Sequence, residues 1–335
     1  MNVDVIQGFN YGGYLQREIL PTYLTNHAVM AYAIKGYKGN QKGVNFTWFL
    51  DETPLTLRTA GKFAKINVAE APSKVPLTLS WSKFVMAVSI AGADIEVQGR
   101  PGSIDDGTLN NLVADRVAKV KQDAPHRLAR EVAQGDGTPL NSGQGKTLVG
   151  LSQSVTTTGN SGLYAGQNKA VIAGLQNESI GATSGPSANF NADVFYLAFY
   201  LRLLIRGKRT KGGGRYSANG IVGTPQIVAA FINRGLTAGV DKAYRVDGRQ
   251  MVFGFDVSED NVEADLSGNH MYILSLDKFK MVGTAPTWKG AWMMDARQNL
   301  PNHVDKKDTA IVMQSSLIQL VNTLPAAHGI VPSAH

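Results

Sequence analysis

The run from Trp81 to Gly137 constrains the chain most: an alternating strand, a turn, one long mixed-charge helix and a glycine stop. Leu109, Leu112, Val113, Val117, Val120, Ala124, Leu128 and Val132 recur at spacings of one, three and four, the pattern of a single apolar helical face. The opposite face carries Asp115, Arg116, Lys119, Lys121, Asp123, Arg127, Arg130 and Glu131. Asp115 stands four residues before Lys119 and Asp123 four before Arg127, each pair adding about 0.2–0.5 kcal/mol. Asp105-Asp106-Gly107-Thr108 supplies caps and negative charge for the N-terminus, and Gly135 is a natural stop. Pro125 removes a backbone donor and should bend the helix about one turn before it. Such a helix is a strut, with no side chains arranged for chemistry.

The segments around it read as a mixed α and β chain. Residues 1–40 are rich in Tyr, Gly and Asn with little periodicity, as expected of an arm that packs against something else. From Val44 to Leu79 the chain is extended, with runs at 45–50, 55–57, 63–68 and 77–79 and turns at Pro54, Gly61, Pro72 and Pro76. A two-stranded ribbon of this kind is marginal alone, so it is expected to lie on a neighbour. Phe84 to Val97 alternates as a strand. After Gly135 a Gly/Ser/Thr-rich loop runs to Gly162, with Leu148 to Leu151 as its one strand-like break. Asp193 to Ile205 is apolar nearly all round and predicts a buried helix. Thr224 as N-cap and Pro225 at the first helical position open a helix that should stop at Gly235. Met251–Val257, Met271–Leu276 and Ile311–Val321 read as strands, the first two joined by the acidic loop Ser258–Asp265. No fixed-period repeat is present.

The chemical inventory is close to empty. With no Cys, disulfides, thiolate zinc sites and Cys nucleophiles are excluded, as suits a reducing cytoplasm. Gly145-Lys146-Thr147 resembles the end of a phosphate-binding loop, but Leu140 stands where its first Gly is required. Asp256, Ser258 and Asp260 have calcium-loop spacing, yet Asn261 replaces the turn Gly and Ser267 the bidentate Glu. The His residues at 27, 126, 270, 303, 328 and 335 form no pair at three- or four-residue spacing, and no G-x-S-x-G elbow occurs. No enzyme, cofactor or metal is expected. The N-terminus lacks a basic start and apolar core, and Val194–Ile205 is too short to cross a bilayer, so a soluble chain without a secretion signal is expected.

The net charge of +7 gathers in two places. Arg202, Arg206, Lys208, Arg209, Lys211 and Arg215 form one cluster, with no acid between Asp193 and Asp241. Lys35, Lys38, Lys42, Arg58, Lys62, Lys65 and Lys74 form the other, offset by Asp51, Glu52 and Glu70. Solvated loops or interface rims account for both, and phosphate contact is the sharper alternative.

The order of elements resembles the major capsid proteins of tailed bacteriophages, the Hong Kong 97 fold family, from about residue 40 onward. Val44–Leu79 resembles the family's extended loop, Trp81-Ser82-Lys83-Phe84 through Ile95 the strand entering the peripheral domain, and Leu109–Gln134 the spine helix with its exit at Gly135-Asp136-Gly137-Thr138. Thr158-Gly159-Asn160 to Leu175-Gln176-Asn177-Glu178, Ile221–Gly235 and Tyr272–Lys280 are similar to axial elements, and Leu320–Gly329 to the closing strand and tail. The resemblance implies an α+β capsid fold: an N-terminal arm (1–40), an extended β-hairpin loop (41–80), a peripheral domain with the spine helix (81–145 and 305–335), and an axial domain with a central sheet (146–304). Some relatives carry a Lys–Asn crosslink; no such pair is identified here.

The resemblance also implies a non-enzymatic shell protein of the virion capsid, assembled in the host cytoplasm. Its partners would be itself, in pentamers and hexamers, together with scaffolding, portal and decoration proteins, and packaged dsDNA through non-specific contacts; no membrane is implied. Phe46, Trp48, Phe49, Arg58 and Lys62 on the extended loop are candidate intersubunit contacts. Gly36, Gly39 and Gly43 are candidate hinges at its base. Arg206, Lys208, Arg209, Lys211 and Arg215 form a basic loop for nucleic acid or an interface. A cellular nanocompartment shell (encapsulin-like) and a basic nucleic-acid-binding protein are the alternatives.

Overall fold

The computed structural model describes residues 28–51, 74–91, 119, 127–138, 146–180, 194–208, 216–237, 243–246, 249–252, 255–259, 270–286, 291–296 and 309–332. Several expectations fall outside these: the arm before residue 28, the runs at 55–57 and 63–68, the caps at 105–108, Pro125 and most of the long helix, and the acidic loop beyond Glu259.

The longest strand organises one sheet. β14 (Thr309–Asn322) pairs along one edge with β3 (Ser82–Ala91), and along the other with β13 (Ala291–Ala296) and then β12 (Phe279–Gly283), all antiparallel. A second sheet has seven strands in the order β6 (Glu178–Ser179), β15 (Gly329–Val331), β11 (Met271–Leu274), β7 (Gly220–Gly223), β10 (Phe255–Glu259), β9 (Arg249–Val252) and β8 (Ala243–Val246). A short hairpin, β4 (Leu163–Tyr164) and β5 (Gln167–Asn168), and a longer one, β1 (Asn45–Asp51) and β2 (Lys74–Ser80), stand apart.

Strand alternation places the seven-stranded sheet between two cores. Ile221, Met271, Ile273 and Val331 face α3 (Val194–Gly207) and α4 (Pro225–Thr237), burying Leu197, Leu201, Ile205 and Phe231. Val222, Tyr272, Leu274 and Ile330 face the opposite way. There they meet α1 (Ala28–Lys35), the helix α2 over 127–134, and the inner face of β12 and β14. Leu128 and Val132 of α2 are buried in that second core, on the face the spacing indicated, and the helix ends before Gly135. Gly135 is obligatory for contact rather than for turning: a Cβ there would sit 2.2 Å from the Leu148 carbonyl oxygen. Val282 and Val321, on the other face of β12 and β14, join a third core beneath the β1–β2 hairpin.

Several sequence expectations are corrected. Residues 28–40 are not an arm applied elsewhere: Val29, Met30 and Ala33 of α1 are buried against Phe279 and Met281, and residues 38–41 bond to 281–285. The expected division of the chain is crossed by strand pairing. β12 and β13, assigned to 146–304, complete the sheet of β3 and β14, whereas β15, assigned to 305–335, lies within the seven-stranded sheet. The physical reason is the turn Leu276–Lys278, which redirects the chain from β11 into β12, and β14, whose two edges both demand partners. The single strand expected at 251–257 is two antiparallel strands, β9 and β10, and the strand-like break at Leu148–Leu151 is an isolated bridge from Val149 to Asp136 that leads into a helical turn at Leu151–Ser154. α3 is not buried all round, since Tyr196 and Leu203 are exposed, and α4 runs through Gly235 to Thr237.

His328 ties the two sheets together. The Ser275 backbone N–H donates to Nδ1 at 3.1 Å, which leaves Nε2 to carry the proton and donate to Asn322 Oδ1 at 3.0 Å. The ring lies 4.8 Å from the Phe279 ring, is fully buried, and has its pKa pushed down to about 3, chiefly by burial.

Candidate intersubunit surface

The β1–β2 hairpin is antiparallel from Asn45 opposite Ser80 to Asp51 opposite Lys74. Its alternation divides the aromatic trio. Phe46 and Trp48 are half-buried on the inner face, with ring centroids 5.7 Å apart; Trp81 lies 6.0 Å from Phe46 and Tyr164 6.3 Å from Trp48. Phe49 points the other way and is 64% exposed. Only Phe49 of the three therefore presents its side chain outward, and the two-residue period divides the trio between the two faces of the hairpin.

The described part of the hairpin rests on its own chain. Leu50, Leu77 and Leu79 are buried with Tyr164, Ile172 and Leu175. The turn joining β4 to β5 supplies the contact. Ala165 and Gly166 both have positive φ, 51° and 78°, which matches the two-residue turn suited to strand twist. That turn offers the Ala165 carbonyl to the Thr78 N–H at 3.0 Å, and Gln167 donates to the Pro76 carbonyl at 3.1 Å. Gln319 of β14 completes the row, donating to the Ser80 carbonyl at 2.7 Å while accepting from the Val149 N–H at 2.9 Å.

The hinge candidates differ from one another. Gly39 is packed too closely to serve as a free joint: a Cβ would lie 2.5 Å from the Ala285 carbonyl oxygen. Gly36 closes α1, its N–H bonding to Tyr32 O at 2.9 Å. Gly43 has φ +113° and nothing but the Asn45 carbonyl near it, so it alone has the backbone freedom of a joint. Trp81 Nε1 donates to the Gly43 carbonyl at 2.9 Å and pins the entry of the hairpin.

The basic loop also divides. Arg206 is exposed at the end of α3. Lys208 is a strut instead: its Nζ is 2.8 Å from Glu178 Oε1 and donates to Gln176 O at 3.0 Å, joining α3 to β6. Arg202 lies over the Phe255 ring at 4.2 Å. Arg58, Lys62, Arg209, Lys211 and Arg215 lie outside the described residues.

Sequence reading missed Lys169. It is fully buried, donates from Nζ to Ser154 O at 2.9 Å and lies 3.4 Å from Thr156 Oγ1. Burial pushes its pKa down to about 8. A loop lysine flanked by Asn168 and Ala170 carries no local sign of such an environment.

A groove of about 350 Å³ lies beside the hairpin base, lined by Thr78, Ser80, Asp136, Lys146, Thr147 and Gln319 among others. Asp136 is held ionised there, its pKa lowered by hydrogen bonds from Thr138 and Thr147. Among the described residues no group of His, Asp and Glu is gathered to hold a metal, and no helix is long and apolar enough to cross a membrane.

This arrangement of sheets, helices and hairpin matches solved shell proteins along nearly the whole chain. A protein of the cyanophage A-1(L) capsid aligns over 94% of both chains with a TM-score of 0.60 at 15% identity. The chain has the Hong Kong 97-type capsid fold. The capsid protein of a native GTA particle aligns over 100% of both chains, with a TM-score of 0.53 at 14% identity. The SrpI encapsulin of Synechococcus elongatus aligns over 92% of this chain and 88% of its own, with a TM-score of 0.50 at 10% identity. No protein-family model matches the sequence, and no curated protein matches it. The likeness therefore lives in the fold and not in the sequence.

Proposed function

We propose that the chain is a major capsid protein whose work is assembly: pentamers and hexamers closing into an icosahedral shell around packaged dsDNA. The observation that carries this reading is the end-to-end structural likeness to the cyanophage capsid protein, with neither chain left largely unmatched. A scaffolding protein, a portal and decoration proteins are the further partners such a shell takes, with assembly in the host cytoplasm and residence in the virion. Catalysis has no part in it.

One sequence in both pentamers and hexamers needs a joint, and Gly43 is the position with the backbone freedom for it. Replacing it with Pro is expected to hinder shell maturation; normal expanded shells from that variant would count against the joint. Arg206, exposed at the end of α3, with the basic residues after it in sequence would give weak contacts to DNA or to a neighbour. DNA carries one charge per ~1.7 Å of axis, so +7 per subunit is a minor neutralising agent.

The likeness to an encapsulin supports a second reading, a cellular compartment shell enclosing protein cargo. Expression of the full chain, alone and with a scaffolding protein, followed by sedimentation and absorbance of the particles, separates the two. Closed shells that package DNA during infection support the capsid; shells with only protein inside support the compartment. A small species with a steep salt-dependent affinity for DNA would instead make it a nucleic-acid-binding protein.

A further inference from the structure

The two edges of the β1–β2 hairpin are treated in opposite ways. On β2 the outward backbone groups alternate at Pro76, Thr78 and Ser80, and each is engaged by the chain itself: Pro76 O by Gln167, Thr78 N by Ala165, Ser80 O by Gln319. Pro76 also has no N–H to offer. Such sealing is how native sheets block unwanted strand addition. Because Thr47 faces Thr78, the same alternation turns the N–H and C=O groups of Asn45, Thr47 and Phe49 outward on β1. The Thr47 and Thr78 hydroxyls meet at 3.0 Å, as the close side chains of a non-hydrogen-bonded pair should. Among the described residues none of these outward groups has a backbone partner. Among the described residues β1 thus leaves its edge open beside one closed three times over.

We propose that β1 pairs antiparallel with β1 of a second copy, about a two-fold axis through Thr47, forming a continuous four-stranded sheet. The sequence is self-complementary in that register. Thr47 faces Thr47, and Asn45 faces Phe49, giving two bonds per facing pair and about six in all. On the inner face Phe46 comes opposite Trp48 and Val44 opposite Leu50, apolar against apolar. Val44 is 88% exposed in the single subunit and gains a partner. At the ends, the exposed Lys42 of each copy comes to the Asp51 end of the other, while no charge lies between 43 and 50. A one-residue slip would bring Phe46, Trp48 and Leu50 to the seam, whose backbone groups already point to β2, so the register is specified. The contact is isologous and closes on itself, which suits a two-fold position between assembly units. It deepens the shell reading and rests on it for its setting.

The chain has no Cys, so one introduced thiol reports the contact cleanly. In this register the two Thr47 Cα atoms stand ~5.5 Å apart, within reach of a disulfide. Mild oxidation of assembled Thr47→Cys chain is expected to convert most of it to covalent dimer, and Asn45→Cys, whose counterpart lies several residues along the strand, to give little. Thr47→Pro removes the central donor while imitating Pro76 on the partner strand, and is expected to keep the folded subunit but cut assembly yield at least tenfold. Wild-type shells with no Thr47→Cys dimer, and a Thr47→Pro yield equal to wild type, would overturn the pairing and leave the shell reading standing. A crosslinked dimer from a chain that never builds shells would uphold the pairing and overturn the shell reading.

Discussion

Buried Lys169 is expected to make the stability of the subunit rise with pH between about 8 and 10.5. Its ammonium is fully buried, with a carbonyl and a hydroxyl as partners and no carboxylate pairing with it among the described residues. Burial moves the folded pKa from 10.5 to about 8. The unfolded chain therefore binds more protons between those values, and stability climbs as pH rises through them. At ~1.4 kcal/mol per unit, the charged lysine costs the fold about 3 kcal/mol at neutral pH. Between about pH 7 and about pH 9.5 that penalty should shrink by ~2 kcal/mol. Tyr164 limits the range above: burial raises its pKa, so its contribution is lost once the unfolded tyrosine ionises near pH 10. Urea unfolding of the unassembled subunit at several pH values, for wild type and Lys169→Met, isolates the term because other groups cancel in the difference. The variant should lack the ~2 kcal/mol rise. Equal slopes in the two proteins would refute the buried, charged lysine as the cause.

Three further outcomes rest on other contacts. Ala165 holds φ +51° in the turn under the hairpin, so Ala165→Val should cost ~1–2 kcal/mol in urea unfolding, whereas Ala165→Asn should be near neutral; equal effects would refute the turn assignment. His328, neutral and buried with a pKa of about 3, contributes stability that is present above pH 6.5 and lost as pH falls, ~3 kcal/mol by about pH 4. His328→Leu should remove that acid sensitivity while costing ~1–3 kcal/mol at neutral pH through the orphaned Ser275 N–H, and an unchanged acid midpoint would contradict it. Gly39→Ala pushes a methyl group against the Ala285 carbonyl and should cost ~1–3 kcal/mol by thermal unfolding; a wild-type melting temperature would show that residues 38–41 are not packed as described.

The elements with long periodic patterns were legible in the sequence. α3, α4, β14 and the hairpin strands fall within a few residues of where the apolar runs place them, because each is rich in residues that the cores bury. The end of α2 at Gly135 was legible because a glycine stands there, although the close Leu148 carbonyl and not a turn requires it. The failures share a cause: the deciding contacts are distant in sequence. β9 and β10 read as one run because Phe253 between them continues the apolar stretch in the sequence. α1 looked like an arm because its burial depends on β12, more than two hundred residues away. Which strand joins which sheet was decided by the edges of β14, and pairing partners leave no local mark. At the candidate surface, the aromatic residues were visible but their division between two faces was not used. Lys169 and Lys208 read as loop charges although both are held by backbone carbonyls.

Cryo-electron microscopy of the full chain, expressed with and without a scaffolding protein, tests the shell reading most directly. The account predicts closed icosahedral shells, or free pentamers and hexamers, in which the subunit keeps both sheets and the hairpin seated on its own β4–β5 turn. A chain that remains a stable monomer even with a scaffold present would contradict it.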